Sequence, residues 1–452
     1  MRFCAALIPI MTVFLYVPSV SAAPKTIQAV ARALSYWDTH RARTLLESLP
    51  SETLTTDQVV VLSARLLYLE GNYDAALGMV ENLSEAARAD GQVADLIQQI
   101  QQTSETLRPF SEFLTSDGRF LIRYLGKDRL LLPFLAEVLK KAEQALSEDF
   151  AFEPPSPIIV EVYPTVDYLA KVSSLTLEAL ETSGTIALCS DNRLMLTSPR
   201  GVARGYGWMD TLAHEFVHYY VTKVSRNTVP IWLHEGIAKF QENRWRSSPG
   251  HPLDPPQEDL LARSLKKEQL VTFEQMHPSM ALLPSQQATA LAFAEVHSTI
   301  EYLYAQGGYG KLRGLLRRLS TGVKMDRALK DTYGVNLRGL WKNWVKRVKQ
   351  QNLKTYPGLV HVPLDFKRPG VDEEDIEAEL MTIEAKDVRD FAHLGELLRA
   401  RSRYKASLKE YRKAIKLNGP GNPAIQNGAA SALLELGRAD EIPALMDQVK
   451  IY

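Results

Sequence analysis

The chain has 452 residues, with 53 basic and 53 acidic side chains, so its formal net charge is zero. This balance argues against a nucleic-acid binder, which would carry a large excess of lysine and arginine. A chain of this length is too long for one compact core, so two or three domains are expected. The apolar share of 45% is ordinary for a globular protein.

The first 22 residues predict a signal peptide, 1–22. Arg2 precedes an apolar run that ends at Val17, and the small residues after it fit a signal-peptidase site following Ala22. The run is short for a membrane span, and no later segment is apolar enough to cross a bilayer. We therefore expect an exported bacterial protein, periplasmic or extracellular, without a transmembrane span after cleavage. An uncleaved N-terminal anchor is the alternative.

Residues 25–106 predict an N-terminal helical region similar to tetratricopeptide (TPR) repeats. The stretch ARLLYLEGNYDAAL, residues 64–77, has apolar residues at helical spacing, a break at Gly71 and a second helix that opens near Tyr73. Residues 31–49 are interpreted as a degenerate preceding unit. One clear copy is a weak signal, because any helical hairpin produces this pattern.

Residues 108–352 predict one α+β domain, in which strands give way to helices. Alternating or β-branched runs bounded by proline or turn residues predict four strands, at 119–125, 155–164, 184–190 and 193–199. An amphipathic helix is predicted at 131–146, and further helices fill most of 207–350.

Residues 353–385 are rich in proline and acidic side chains, which predicts a linker. Beyond it, residues 386–452 predict C-terminal TPR-like repeats. The pattern of residues 394–417 begins again in residues 429–449, and the offset of about 34 residues matches the TPR repeat. TPR-like helix pairs stack into concave surfaces that bind proteins, so a protein partner on these helices is possible.

The main functional signal is HEFVH, residues 214–218, in a stretch that is helical by pattern. Residues four apart share one face of a helix, about 6 Å apart along its axis. His214 and His218 can therefore present imidazole nitrogens to one zinc ion. Glu215 is rotated by about 100° from His214, which places its carboxylate beside the metal at water-holding distance. By chance, HExxH occurs in roughly one chain in a hundred of this size, so the motif alone does not establish a zinc site. A third ligand is needed to support that interpretation.

A hydrolytic zinc site needs three protein ligands and a position for water. The extension HExxHxxGxxH fails here, because residues 221 and 224 are both valine. The alternative is a glutamate from a following helix. PIWLHEGIAKFQE, residues 230–242, predicts such a helix with Glu235 in its first or second turn. Gly236 removes a side chain where the two helices must pack closely.

HExxH followed by WLHEGIA is similar to the gluzincin metallopeptidases. Residues 118–350 resemble the peptidase MA-like domains of exported bacterial proteins, which often carry TPR units. The resemblance implies a zincin-like catalytic domain, built from a small sheet and the two motif helices and flanked by α-helical TPR-like segments. It implies that His214, His218 and Glu235 bind Zn²⁺. Glu215 would then be the general base in the hydrolysis of a peptide or protein substrate by zinc-activated water.

Gluzincins usually add a tyrosine or histidine that stabilises the tetrahedral oxyanion. The corresponding helix has Phe293 where a tyrosine is expected, and a phenyl ring has no hydrogen-bond donor. His297 lies one turn further on and is predicted to substitute as a catalytic residue; Tyr302 and Tyr304 are alternatives. A histidine on the helix surface is the competing interpretation.

Four further features bear on the site or on the surface of this domain. His234 is expected to support the site or to lie on the surface rather than to bind the metal. Lys239 stands where some gluzincins have a carboxylate that supports a zinc histidine, so that support must come from elsewhere. Residues 184–199 predict either an edge strand that pairs with the substrate or a core strand. The cationic stretch 311–349 predicts solvated faces of amphipathic helices, with binding to a polyanion or membrane surface as the alternative.

Three functions remain open on the sequence alone. The leading one is an exported zinc peptidase. The second is a catalytically weak or inactive TPR scaffold that retains a metallopeptidase fold; intact Glu215 argues against it and Phe293 argues for it. The third is a purely structural metal site, which would normally be closed by four protein ligands rather than three.

Overall fold

A computed structural model of the protein describes residues 25–203, 205–359, 364–366, 383 and 385–446. This part of the chain is mostly helical and contains one small mixed sheet, which is compatible with the α+β class. The predicted signal peptide, 1–22, lies outside the described residues, and so does most of the predicted linker, 353–385. Within the described ranges, no helix is both long and apolar enough to cross a membrane.

Five strands form the sheet, and four of them were predicted. They are β1 (Ser111–Leu114), β2 (Phe120–Tyr124), β3 (Ile158–Tyr163), β4 (Ala187–Ser190) and β5 (Arg193–Thr197). Their order is β1-β2-β3-β5-β4, with β3 parallel to both β2 and β5 and with the outer strands β1 and β4 antiparallel to their neighbours. Every residue of β3 is buried, as its β-branched sequence predicts for a central strand.

Helices precede the sheet and cover it. Before it lie α1 (Lys25–Ser35), α2 (Thr39–Glu47), α3 (Asp57–Leu69), α4 (Tyr73–Val80), α5 (Glu85–Arg88) and α6 (Gly91–Leu107). Among and after the strands lie α7 (Leu132–Phe150), α8 (Val166–Val172), α9 (Leu177–Ser183), α10 (Trp208–Ser225), α11 (Ile231–Gln241), α12 (Pro255–Lys267), α13 (Gln286–Tyr304), α14 (Gly308–Ser320), α15 (Met325–Tyr333) and α16 (Leu337–Gln350). Short 3-10 turns lie at Ser51–Thr53, Gly126–Leu131, Pro199–Gly201, Met280–Leu282 and Ala439–Glu441.

The N-terminal helices share a core with the sheet. Leu34 and Leu62 belong to the same buried apolar cluster as Phe120, Val160 and Phe216. The predicted helix break is confirmed, since α3 ends at Leu69 and α4 begins at Tyr73. These helices are therefore packed onto the α+β part of the protein through a continuous apolar interior.

A buried polar network reinforces this packing on the other face of the sheet. Glu161 is 0% exposed and accepts hydrogen bonds from Tyr73 at 2.6 Å and Tyr163 at 2.5 Å. The Nε of Arg193 lies 3.3 Å from Glu161, and its Nη2 donates to the Tyr68 hydroxyl at 2.9 Å. Buried charges are tolerated only when paired in this way, so the network fixes α3 and α4 against β3 and β5.

Helices α10 and α11 form the centre of the α+β part. The ring of Phe216 on α10 packs edge-on against Phe120 of β2, with centroids 5.6 Å apart. A Cβ at Gly236 of α11 would lie 2.7 Å from Ile300 of α13. Glycine is therefore required for the close approach of two helices that was expected at this position, although the partner is α13.

Helices α14–α16 carry the cationic stretch as amphipathic helices. Arg317 and Lys342 are exposed, whereas Leu315 and Trp344 are buried. This pattern is the solvated arrangement expected for such a sequence.

The C-terminal helices have a separate apolar cluster. They are α17 (Lys386–Ala400), α18 (Tyr404–Asn418), α19 (Pro423–Glu435) and α20 (Ile442–Met446). Leu408, Tyr411 and Ile425 pack together with Val388 in this cluster. The helix bounds fit the predicted pairing, and the assignment of TPR repeats at both ends of the chain stays a prediction.

Gly71 provides a test of the packing between the N-terminal helices and the sheet. Its φ is +74°, and a Cβ would lie 2.4 Å from Cδ1 of Ile159 in β3. Gly118 has a similar φ of +69° but open space around it. Both glycine-to-alanine changes should cost about 1–2 kcal/mol through backbone strain. We expect Gly71→Ala to cost about 1–3 kcal/mol more in chemical denaturation, through overpacking. Equal losses would show that the N-terminal helices are not held against β3.

Candidate metal centre

Four of the predicted site residues come together around α10 and α11. His214, Glu215 and His218 are buried on α10, and their candidate ligand atoms all lie within 4.8 Å of one another. Oε2 of Glu235 lies 3.3 Å from Nε2 of His214 and 3.2 Å from Nε2 of His218. One carboxylate oxygen from α11 therefore meets both imidazoles of α10.

These distances fit a zinc ion. Ligands in a tetrahedron around zinc, with metal–ligand bonds near 2.0–2.1 Å, are separated from each other by about 3.3 Å. The two distances from Glu235 to the histidines, 3.3 and 3.2 Å, are of that size. Two imidazole nitrogens and one carboxylate oxygen are also the donor set of many catalytic zinc sites. His214, His218 and Glu235 can thus hold the ion that the sequence predicts.

The pKa values of Glu235 and His214 are set by burial and by their close contacts with charged neighbours. Burial raises the pKa of Glu235, but His218 and His214 together hold it well below its ordinary value. Burial lowers the pKa of His214, but hydrogen bonds with Glu235 and Glu242 raise it to about 10. The carboxylate is therefore ionised, as a metal ligand must be.

Glu242 supplies the support for His214 that the sequence analysis did not find. Its Oε2 lies 3.3 Å from Nδ1 of His214, and its Oε1 lies 2.6 Å from Nζ of Lys239. Burial raises the pKa of Glu242, but Lys239 and His214 lower it to about 2. A carboxylate on the outer nitrogen fixes the tautomer and orientation of a metal-binding histidine. The missed signal was spacing: Glu242 follows Glu235 by seven residues, which is about two helical turns.

Glu215 faces the cavity beside these ligands. Its pKa is raised chiefly by burial, while the neighbouring His218 and His214 lower it. The backbone N–H of Cys189 in β4 also lowers it, so the edge strand lies directly against this carboxylate. A carboxylate whose pKa is moved up towards neutrality is suited to exchange protons with a reacting molecule.

The site opens into a cavity of about 210 Å³. His214, Glu215, His218 and Glu235 all line it, and Phe293 lies across it with its ring 5.8 Å from that of His214. Residues 187–190, which form β4, also line it. Within the predicted segment 184–199, β4 is the edge strand beside the cavity and β5 is a buried interior strand; pairing of β4 with a substrate stays a prediction.

His234 is buried and supports the site; the surface interpretation is wrong. Its ring stacks on that of His218, with centroids 4.5 Å apart, and its Nε2 lies 3.2 Å from Oγ1 of Thr222. Burial lowers its pKa to about 3, so it is neutral at ordinary pH. The outer nitrogen of His218, Nδ1, has no hydrogen-bond partner among the described residues.

His297 is not brought to the cavity. It is fully buried, and its ring lies 4.9 Å from His251 and 5.8 Å from Phe240. One turn of α13 separates it from Phe293, which carries it about 6 Å along the helix axis and away from the cavity. It does not line the cavity, and neither do the alternatives Tyr302 and Tyr304. The surface interpretation of His297 is wrong as well, and an oxyanion donor would have to face the substrate, which this position does not allow.

The family comparison covers the part of the chain that carries these residues. The family model described as Peptidase MA superfamily matches residues 139–350. This match supports a peptidase MA-like domain in this segment. No curated protein and no solved structure is similar enough to the chain to count as a match. The match supports a peptidase of the metallopeptidase type, and it leaves α1–α6 and α17–α20 outside the family domain.

Removal of the Glu242 carboxylate, which contacts His214, should weaken metal binding. We expect Glu242→Ala to lower zinc affinity by about 10- to 100-fold, because His214 loses the group that orients it. Glu242→Gln should lower it less, since the amide oxygen still accepts a hydrogen bond. A chelator competition titration measures both, with circular dichroism as a check of folding. Unchanged affinity in a folded Glu242→Ala protein would contradict the supporting role.

The burial of His297 predicts a pH dependence of stability. Burial lowers its pKa from 6.5 to about 3, so the folded state keeps it neutral while the unfolded chain binds a proton below pH 6.5. Its contribution is complete above pH 6.5 and is lost as pH falls towards 3. Denaturation of metal-free protein at pH 7 and pH 5 should show a loss about 2 kcal/mol smaller in His297→Leu than in the native protein. Equal losses would mean that His297 reaches solvent.

Proposed function

We propose that the protein is an exported, zinc-dependent peptidase of the gluzincin type, with His214, His218 and Glu235 as zinc ligands and Glu215 as general base. The observation that carries the proposal is the position of Glu235, whose one oxygen lies 3.3 and 3.2 Å from the two histidine nitrogens. Three protein ligands leave a fourth position for water, which separates a catalytic zinc site from a closed structural one.

A zinc ion held by these residues supplies a Lewis acid and makes a nearby water molecule more acidic. Glu215 lies beside the ligands and takes a proton from the water that attacks the peptide carbonyl. It later passes that proton to the leaving nitrogen. Glu242, itself held by Lys239, keeps His214 in the orientation that the site needs.

The substrate would lie along β4. This strand ends the sheet, so the outward backbone groups of residues 187–190 have no partner strand there. An extended peptide can add to such an edge by main-chain hydrogen bonds. The N–H of Cys189 lies next to Glu215, so a peptide on this edge would have its backbone close to the general base.

A scaffold protein that retains the metallopeptidase fold is the second candidate. Phe293 favours it, because this side chain lies in the cavity without a donor for an oxyanion. Its partner would bind the TPR-like helices, where Leu394 and Leu397 of α17 are exposed large apolar side chains. Glu215 argues against it, since a site that only holds metal needs no base beside the ligands.

Two variants separate the candidates. Glu215→Gln should retain zinc and lose at least about 10³-fold in kcat/KM on a mixed peptide library, because proton transfer and water positioning are both lost. Glu235→Ala should lose zinc as well as activity, since one of three ligands is gone. Bound zinc is measured by atomic absorption, and cleavage by mass spectrometry. A native protein that binds zinc and cleaves nothing would contradict the peptidase and support the scaffold.

A further inference from the structure

One wall of the cavity comes from outside the peptidase MA-like domain. Leu34, Ser35 and Trp37, from the end of α1 and the turn after it, line the cavity together with Arg65 of α3. The family match begins only at residue 139. A substrate in the cavity would therefore contact side chains that the peptidase MA-like domain does not supply.

The charged member of this wall is Arg65, which is paired with Asp191. Arg65 is 5% exposed and Asp191 is 7% exposed, and Nη2 of the arginine lies 2.5 Å from Oδ1 of the aspartate. The other oxygen, Oδ2, is 3.2 Å from both Nε2 of Gln99 and Oγ of Ser190. Both residues of the pair line the cavity, and both oxygens of Asp191 already accept hydrogen bonds.

Arg65 has hydrogen-bonding capacity left. A guanidinium carries five N–H groups. Within the described ranges, Nη2 of Arg65 donates a hydrogen bond to Asp191, and Cζ lies 5.5 Å from the centroid of the Tyr68 ring. Arg65 lines the cavity, so the N–H groups that Asp191 does not use are available on that side. The N–H groups of Arg65 are hydrogen-bond donors, so a ligand that binds at this wall must present a hydrogen-bond acceptor.

The position along β4 relates Arg65 to the reacting centre. The N–H of Cys189 is close to Glu215, and Asp191 follows two residues later at the start of the turn between β4 and β5. Two residues of extended chain span about 6–7 Å. A peptide that follows β4 past Glu215 would thus reach the Arg65–Asp191 pair after about two residues. Arg65 of α3 and Leu34 and Ser35 of α1 line the same cavity.

We infer that Arg65 binds a carboxylate of the peptide substrate at this wall of the cavity. The inference rests on the proposed peptidase function and specifies its substrate class. A planar guanidinium can donate two parallel hydrogen bonds to a carboxylate, the strongest fit for its free N–H groups. The carboxylate is either the C-terminal one, in which case one or two residues are removed from the chain end, or that of an Asp or Glu side chain about two residues from the cleaved bond.

The test begins with the best-cleaved peptide from a mixed library, made as free acid, as C-terminal amide, and with its acidic side chains changed to amides. Binding is measured on zinc-loaded Glu215→Gln protein, so that hydrolysis does not interfere, and KM and kcat are measured on protein with Glu215 intact. One of the two carboxylate changes should weaken binding about 10- to 100-fold, because hydrogen bonds to a charged group are lost. Which change does so distinguishes the chain end from the side chain.

Arg65→Met should remove that discrimination. The ratio of affinities for the acid and its amide should fall to about 1, and KM should rise while kcat changes little. Because this variant leaves Asp191 without its main partner, the double variant Arg65→Met/Asp191→Asn repeats the measurement without a buried unpaired charge. Asparagine suits the φ of 52° at position 191. Arg43→Met is the matched control, since Arg43 pairs with Glu70 and does not line the cavity.

The outcomes separate the two proposals. Cleavage with the same preference for acid over amide in native, single and double variants would overturn the role of Arg65 and leave the peptidase intact. A native protein that cleaves no peptide would overturn the proposed function and this inference with it. Loss of discrimination in both Arg65 variants, but not in Arg43→Met, is the result expected.

Discussion

The meeting of one carboxylate oxygen with two imidazole nitrogens is the interaction on which the site depends. Helix α10 alone can bring His214 and His218 to one face, but it cannot supply a third ligand. Glu235 does so only because α11 lies against α10 and is held there by close packing on α13. That packing has no room for a side chain at position 236, where a Cβ would lie 2.7 Å from Ile300 and 3.0 Å from the carbonyl oxygen of Val296. The glycine next to Glu235 is thus part of what positions the ligand.

Charge pairing extends this arrangement outward. Glu242 contacts His214, and Lys239 contacts Glu242. These ion pairs link α10 to the C-terminal end of α11. On the opposite face of the sheet, Glu161 and Arg193 pair within a set of tyrosine hydroxyls and hold α3 and α4. Helix α3 also carries Arg65, which lines the cavity. Helix packing, strand edge and cavity wall are therefore connected through paired buried charges, each of which would be costly alone.

Local sequence patterns predicted the elements that make the site. The β-branched run of β3 and the spacing of His214, His218 and Glu235 both carried signals that involve few residues. The predictions that were wrong or missing concern where side chains lie in the folded protein. His297 is one helical turn from Phe293 on α13, yet it is buried against Phe240 and does not line the cavity. Glu242 was missed because support was sought one turn after Glu235 and lies two turns after it. No periodicity could show that α1 and α3 would fold against the cavity.

The most direct test is a crystal structure of the zinc-loaded protein, with the ion located by anomalous scattering at the zinc edge. The account predicts one ion with Nε2 of His214, Nε2 of His218 and an oxygen of Glu235 at about 2.0–2.1 Å, and with Glu215 beside it but not bound to it. An ion bound elsewhere, or a Glu235 side chain turned away from the two histidines, would contradict it.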